Sequence, residues 1–129
     1  MPGITHLNPA GLHTNPAFSQ GVRADGGSLV VVGGQNGTGG DGAVVPGGLG
    51  AQTVQAFRNV LAVLAEAGAD QGHVVKLTVH LKAGEDVTAG YRAAGEVWGP
   101  HPTAITVLQV AGFARPDALV EIDALAVVP

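Results

Sequence analysis

A chain of 129 residues without a cysteine suits one domain, residues 1–129, and excludes disulfides, thiolate metal sites and a cysteine nucleophile. Its net charge of −4 and its six scattered cations lack the basic clustering that a nucleic-acid partner needs. Charged residues are only 12% of the chain against 46% apolar ones, a skin too thin for a small monomer, so self-association is expected.

The segment Met1 to His6 has neither the basic nor the apolar stretch of a secretion signal. No apolar run reaches the roughly 18–20 residues that cross a bilayer, so a cytoplasmic protein with no membrane partner is expected. Residues 1–17, broken by Pro2, Pro9 and Pro16, read as an irregular arm. Ser19 to Arg23 suits a short strand that turns at Asp25-Gly26-Gly27, and the β-branched run Ser28 to Gly34 suits a buried one. A glycine-rich connection over 33–50 follows. Val54, Phe57, Leu61, Leu64 and Ala65 keep helical spacing, which predicts a helix over 51–67 with Gly68 as its stop. His73 to Leu81 alternates as a strand, with Val75, Leu77, Val79 and Leu81 on one face and Val74, Lys76, Thr78 and His80 on the other. Asp86 is predicted to cap a second helix that ends near Trp98, because Gly99-Pro100 cannot continue it. Further strands are predicted over 103–111 and 119–128.

The order β-β-α-β-α-β-β predicts an α+β fold, a single mixed sheet with two helices packed on one face. In the last strand Val120, Ile122, Ala124 and Ala126 would lie under the helices. The opposite face would then mix Glu121, Asp123, Lys76, Thr78 and His80 with Leu119, Leu125 and Val127. Such a face suits a partly polar subunit interface, with Lys76 paired to an acid.

Three patterns bear on chemistry. Gly37 to Gly42 matches G-x-G-x-x-G after a strand, but a dinucleotide site needs a helix opening directly on the loop, and Ala43 to Gly48 intervenes. A flexible loop is the better expectation. The five histidines lack the short spacing of a metal site. His73 and His80 would stand on opposite faces roughly 23 Å apart on an extended strand. Glu121 and Asp123 share a face about 7 Å apart, a spacing that suits either an acid–base pair around a water or structural pairing with Lys76.

Four segments in order resemble the RidA/YjgF family over nearly everything after Pro16. They are Ser28-Leu-Val-Val-Val-Gly-Gly-Gln35, Gln55-Ala-Phe-Arg-Asn-Val60, Val75-Lys-Leu-Thr-Val-His-Leu-Lys82 and Val110 to Ala126. The resemblance implies a chorismate-mutase-like fold assembled as a homotrimer, with small-molecule clefts between neighbouring subunits. It also implies cofactor-free hydrolysis of enamines and imines to a keto acid and ammonia. A cleft arginine would grip the substrate carboxylate, and a glutamate and backbone groups would place the water.

Carried over by position, the glutamate falls on Glu121, the catalytic candidate. The cleft aromatic falls on Phe18, without a tyrosine's hydroxyl, and the serine before Gly-Gln falls on Gly33, followed by Gly34 and Gln35. Tyr91 matches the tyrosine of the second helix, and Ile105 and Val107 stand on the fourth strand of the resemblance. The arginine has no counterpart. Alignment from Pro102 puts Ala104 there, and alignment back from Val110 puts Ile105 there. An aliphatic group cannot imitate a bidentate guanidinium–carboxylate grip. The expectation is therefore a hydrolase or deaminase of a C=N metabolite other than a 2-imino acid, with no cofactor and no metal. The alternative is a trimer that binds a metabolite without turnover. A ribonuclease is disfavoured by the charge.

Overall fold

The computed structural model describes residues 3–129. In chain order it contains β1 (Ile4–Leu7), β2 (Gly21–Ala24), β3 (Ser28–Gln35), α1 (Gly48–Glu66), a 3-10 turn (Gln71–His73), β4 (Val74–Lys82), α2 (Val87–Trp98), β5 (Ala104–Val110) and β6 (Val120–Val128). Met1 and Pro2, part of the predicted arm, lie outside the described residues.

The main sheet has the order β3-β6-β4-β5 and is mixed. β6 runs antiparallel to both β3 and β4, and β5 runs parallel to β4. Parallel neighbours need a crossover, and α2 supplies the one between β4 and β5. α1 spans from β3 to β4, with β6 between them. The expected α+β arrangement of two helices on a mixed sheet is therefore present.

The arm is not irregular throughout. β1 pairs antiparallel with β2, from Ile4 opposite Ala24 to Leu7 opposite Gly21, as a separate two-stranded ribbon. The predicted single sheet is thus a four-stranded sheet plus this ribbon. The connection from β1 to β2 is tied by Asn8, whose Oδ1 accepts from Gln20 N, and by Gln20, whose Nε2 donates to His13 O.

The core lies between the helices and the sheet. Ala56, Phe57, Val60 and Leu64 of α1 meet Val120, Ile122, Ala124 and Ala126 of β6, all buried. Helical spacing on one side and strand alternation on the other bring these two stripes together. Emptying such a site, as in Leu64→Ala, typically costs about 2–5 kcal/mol.

Two details depart from the sequence pattern. The register shifts between Val74 and Lys76, and a bulge there reverses the alternation. Val74 consequently joins Leu77 in the core, instead of facing away with Lys76. α1 begins at Gly48, one turn earlier than its apolar spacing suggests, after a left-handed Gly47 that gives no side-chain cap. α2 follows expectation: Asp86 Oδ1 accepts from Thr88 N and Ala89 N, and Gly99 ends it.

Polar side chains of α1 hold the segments around β6. Asn59 Nδ2 donates to Asn36 O and Thr38 O, and Asn36 Nδ2 donates to Val120 O at 3.0 Å. Gln52 Oε1 accepts from Leu119 N while its Nε2 donates to Asp117 O. The glycine-rich loop is built against α1 and is bonded within itself. A Cβ on Gly37 would come within 2.5 Å of Gln52 O, and Gly39 N, Gly42 N and Val45 N all donate to loop carbonyls. These bonds give the loop a defined path, and no helix opens directly on Gly37 to Gly42.

Candidate functional site

The two helices cover one face of the main sheet and leave the other open. Cross-strand register sorts the open face into rows. Leu125 of β6, Lys76 of β4 and Ala104 of β5 form one, and Asp123, Thr78 and Thr106 the next. Glu121, His80 and Leu108 form a third. Aliphatic groups crowd this face: Leu29 and Val31 are 65% and 64% exposed, and Leu108 and Leu125 are exposed as well. The mixed face read from the sequence is therefore real. Within the single chain, among the described residues, Lys76 pairs with no carboxylate, and its ammonium donates to Thr106 Oγ1.

Glu121 sits half-buried in the third row, with His80 Nδ1 within 3.2 Å of its backbone oxygen. Between Val32 and Gln35 the register of β3 shifts, which takes Gly33 and Gly34 off the ladder. The Glu121 side chain occupies the space this creates. A Cβ on Gly34 would stand 2.8 Å from Glu121 Cδ and 3.0 Å from its Oε1, closer than such contacts allow. Gln35 Nε2 donates to Gly33 O and closes the bulge. Gly33, Gly34 and Glu121 are thus brought together at one end of the open face, and Gln35, in register with the core residue Ile122, reaches back to Gly33 O.

The others lie across the sheet. Ile105 and Val107 are the partners of Leu77 and Val79 in the parallel pair, so they point to the helix side. Together with Tyr91 of α2 they border a cavity of about 240 Å³ between α2 and β4–β5. Tyr91 is 67% exposed and Val107 52% exposed, which puts both at the mouth. Phe57, Leu77 and Trp98 line the cavity farther in. Phe57 and Trp98 stack at a tilt with centroids 5.3 Å apart, and Trp98 Nε1 donates to His101 O.

Phe18 is not part of this wall. Its ring lies tilted against His13, whereas its neighbours Pro16 and Ala17 border the cavity. Sequence reasoning missed Thr53 and Phe57 as cavity residues. The available signal was on α2, where Gly90 and Ala94 precede Trp98 at four-residue spacing and put small groups toward the sheet. No group of three or more metal-ligating side chains occurs among the described residues. No described helix is long and apolar enough to cross a membrane.

The family model described as Endoribonuclease L-PSP matches residues 10–128. A RutC family protein of Pyrococcus abyssi is 34% identical over 85 residues, which is 66% of each chain. Protein DfrA of Myxococcus xanthus is 34% identical over 113 residues, 85% of this chain and 84% of that one. The crystal structure of YyfB, a conserved Rid family protein from Yersinia pestis, superposes with a TM-score of 0.87 at 27% identity, covering 98% of this chain and 99% of that one. With the family model spanning nearly the whole chain and the fold matched end to end, the chain belongs to the Rid/YjgF (L-PSP) family.

Proposed function

We propose that three copies assemble with their open sheet faces inward, and that Glu121 of one subunit faces the mouth formed by Tyr91, Ile105 and Val107 of the next. The resulting clefts would hydrolyse the C=N bond of a small imine or enamine metabolite without a cofactor. The observation that carries this is the division of the site. Glu121 with Gly33 and Gly34 lies on the open face, and the apolar mouth lies on the helix side, so neither half is complete alone. Exposed Leu29, Val31, Leu108 and Leu125 supply apolar area for such an assembly.

In this reading Glu121 takes a proton from water as the oxygen adds to the imine carbon. Glu121 returns that proton to nitrogen to give the neutral carbinolamine, and the hydroxyl proton then passes to nitrogen, again through Glu121, as ammonia leaves and the carbonyl forms. Each imine thus consumes one water and yields one aldehyde or ketone and one ammonia. The mouth contains no Lys or Arg, and Ile105 offers nothing to grip a carboxylate, so 2-imino acids would be poor substrates. The same lack of charge favours a second reading, a trimer that binds a metabolite without turnover.

A trapping assay separates these. A neutral imine is released from a primary amine by an amine oxidase, a 2-imino acid is released by an amino-acid oxidase, and semicarbazide captures what remains. The hydrolase reading expects the protein to deplete the neutral imine and spare the 2-imino acid. Depletion of neither leaves the binding reading, and rapid depletion of the 2-imino acid contradicts both.

A further inference from the structure

We infer that the cavity behind Ile105 is a specificity chamber for the uncharged hydrocarbon part of the ligand, a ring or branched chain about the size of cyclohexane. This rests on the proposed cleft and adds the class of molecule it takes. α2 packs chiefly on α1 and stands away from β4 and β5, and the cavity is the gap left between them. Small side chains keep it open: Gly90 and Ala94 occupy the inward positions of α2 where larger residues would reach the sheet. Interiors seldom retain apolar voids much larger than a water molecule. A cavity of about 240 Å³ with an exposed mouth is large enough for a small ring, since an apolar cavity of about 150 Å³ already binds benzene.

The lining also sets the ligand's charge. It includes no Asp, Glu, Lys or Arg, and its one imidazole, His101, stands exposed at the rim rather than at the inner end. A carboxylate or ammonium carried into it would lose its hydration with nothing to replace it, which excludes both from the inner end. The α1 side contributes Phe57 and Thr53. Thr53 is 1% exposed, and its hydroxyl has no hydrogen-bond partner among the described residues. The inner end therefore combines an aromatic wall with a single neutral polar group, a lining suited to an apolar ligand with little polarity. The C=N group would remain at the mouth, toward the neighbouring Glu121. The substrate then derives from an amine without a carboxylate, and its product is a neutral aldehyde or ketone.

Trp98 is the single tryptophan and lines the chamber, so its emission reports occupancy directly. The intact protein is titrated with cyclohexanol and, separately, with cyclohexanecarboxylate, which has the same ring and a charge. The expected result is a saturable Trp98 response to cyclohexanol and at least tenfold weaker binding of the carboxylate. Ala94→Phe, which fills the gap from α2, should abolish the cyclohexanol response without changing the oligomeric state. Val79→Phe fills it from the sheet and serves if Ala94→Phe does not fold. Equal or tighter binding of the carboxylate overturns the inference, as does an unchanged response in both filled variants. A filled variant that folds but dissociates also overturns it, since the chamber would then hold a neighbouring subunit's side chain. Glu121→Gln should still bind cyclohexanol. In the parent protein, normal cyclohexanol binding with a blank imine assay sinks only the hydrolase reading, and full imine turnover in a filled variant sinks only the chamber.

Discussion

Glu121 and Gly34 make the sharpest pair at the level of single residues. The carboxylate lies where any side chain on Gly34 would have to be, so Gly34→Ala is expected to push it aside and leave the fold intact. A displacement near 1 Å in a reacting group lowers rates by about a hundredfold, and the imine assay should read a loss of that order with an unchanged circular dichroism spectrum. Glu121→Gln keeps the shape and removes the base. Loss of general-base catalysis is worth about 10²–10⁴ in rate. Because Glu121 makes no salt bridge within the described residues, its melting temperature should stay close to that of the parent. A large drop in melting temperature with unaltered turnover per intact assembly would make Glu121 a structural residue. The family likeness pointed to Glu121, Gly33, Gly34 and Gln35 as residues of one site, and strand alternation put Glu121 on the non-helix face. They did not show that Phe18 turns to His13, or that Lys76 reaches Thr106 rather than an acid, because the bulge at Val74 and the packing of the β1–β2 ribbon are set by distant contacts.

Elements with strong local punctuation were legible. α2 is bounded by Asp86 and Gly99-Pro100, and both signals act within the chain segment itself. Removing the cap by Asp86→Ala is expected to cost about 1 kcal/mol, measured by denaturant unfolding. β1 was not legible, since four residues between proline-rich stretches gain their structure only from pairing with β2. The early start of α1 was hidden by Gly48 and Gly50, poor helix formers that tertiary packing overrides. The cavity was hidden for a related reason: periodicity shows which face of a helix is apolar, not how far it stands from the sheet. The polar residues of α1 do more than face solvent. Asn59→Ala would leave Thr38 O without its donor, while Asn36 O keeps Thr38 N, and leaving such a group unsatisfied costs about 1–3 kcal/mol. The expected reading is a lower unfolding midpoint together with faster amide exchange in residues 36–45.

At the scale of the whole molecule, charge and the proposed assembly bear on the function. Arg58 and Arg92 border one outer groove between the helices, but Glu96 shares it, and the chain carries a net charge of −4. Nucleic-acid affinity depends on neutralising several phosphates at once. Little retention of single-stranded RNA is therefore expected in a gel-shift assay at about 150 mM salt, and tight retention that fades steeply with salt would revive a ribonuclease role. Assembly is the more consequential point, because in the proposed cleft each half of the site meets a neighbouring subunit. The absence of cysteine makes it directly testable with two introduced thiols, Glu121→Cys and Tyr91→Cys, in one chain. These positions lie on opposite sides of the sheet in a single subunit, yet the proposed cleft puts one subunit's Glu121 position beside the next subunit's Tyr91 position. Treatment with a short bismaleimide, followed by denaturing electrophoresis, is expected to give covalent dimers and closed trimers, and neither single variant should give trimers. A double variant that runs only as monomer, with both thiols shown to be reactive, would contradict the shared cleft.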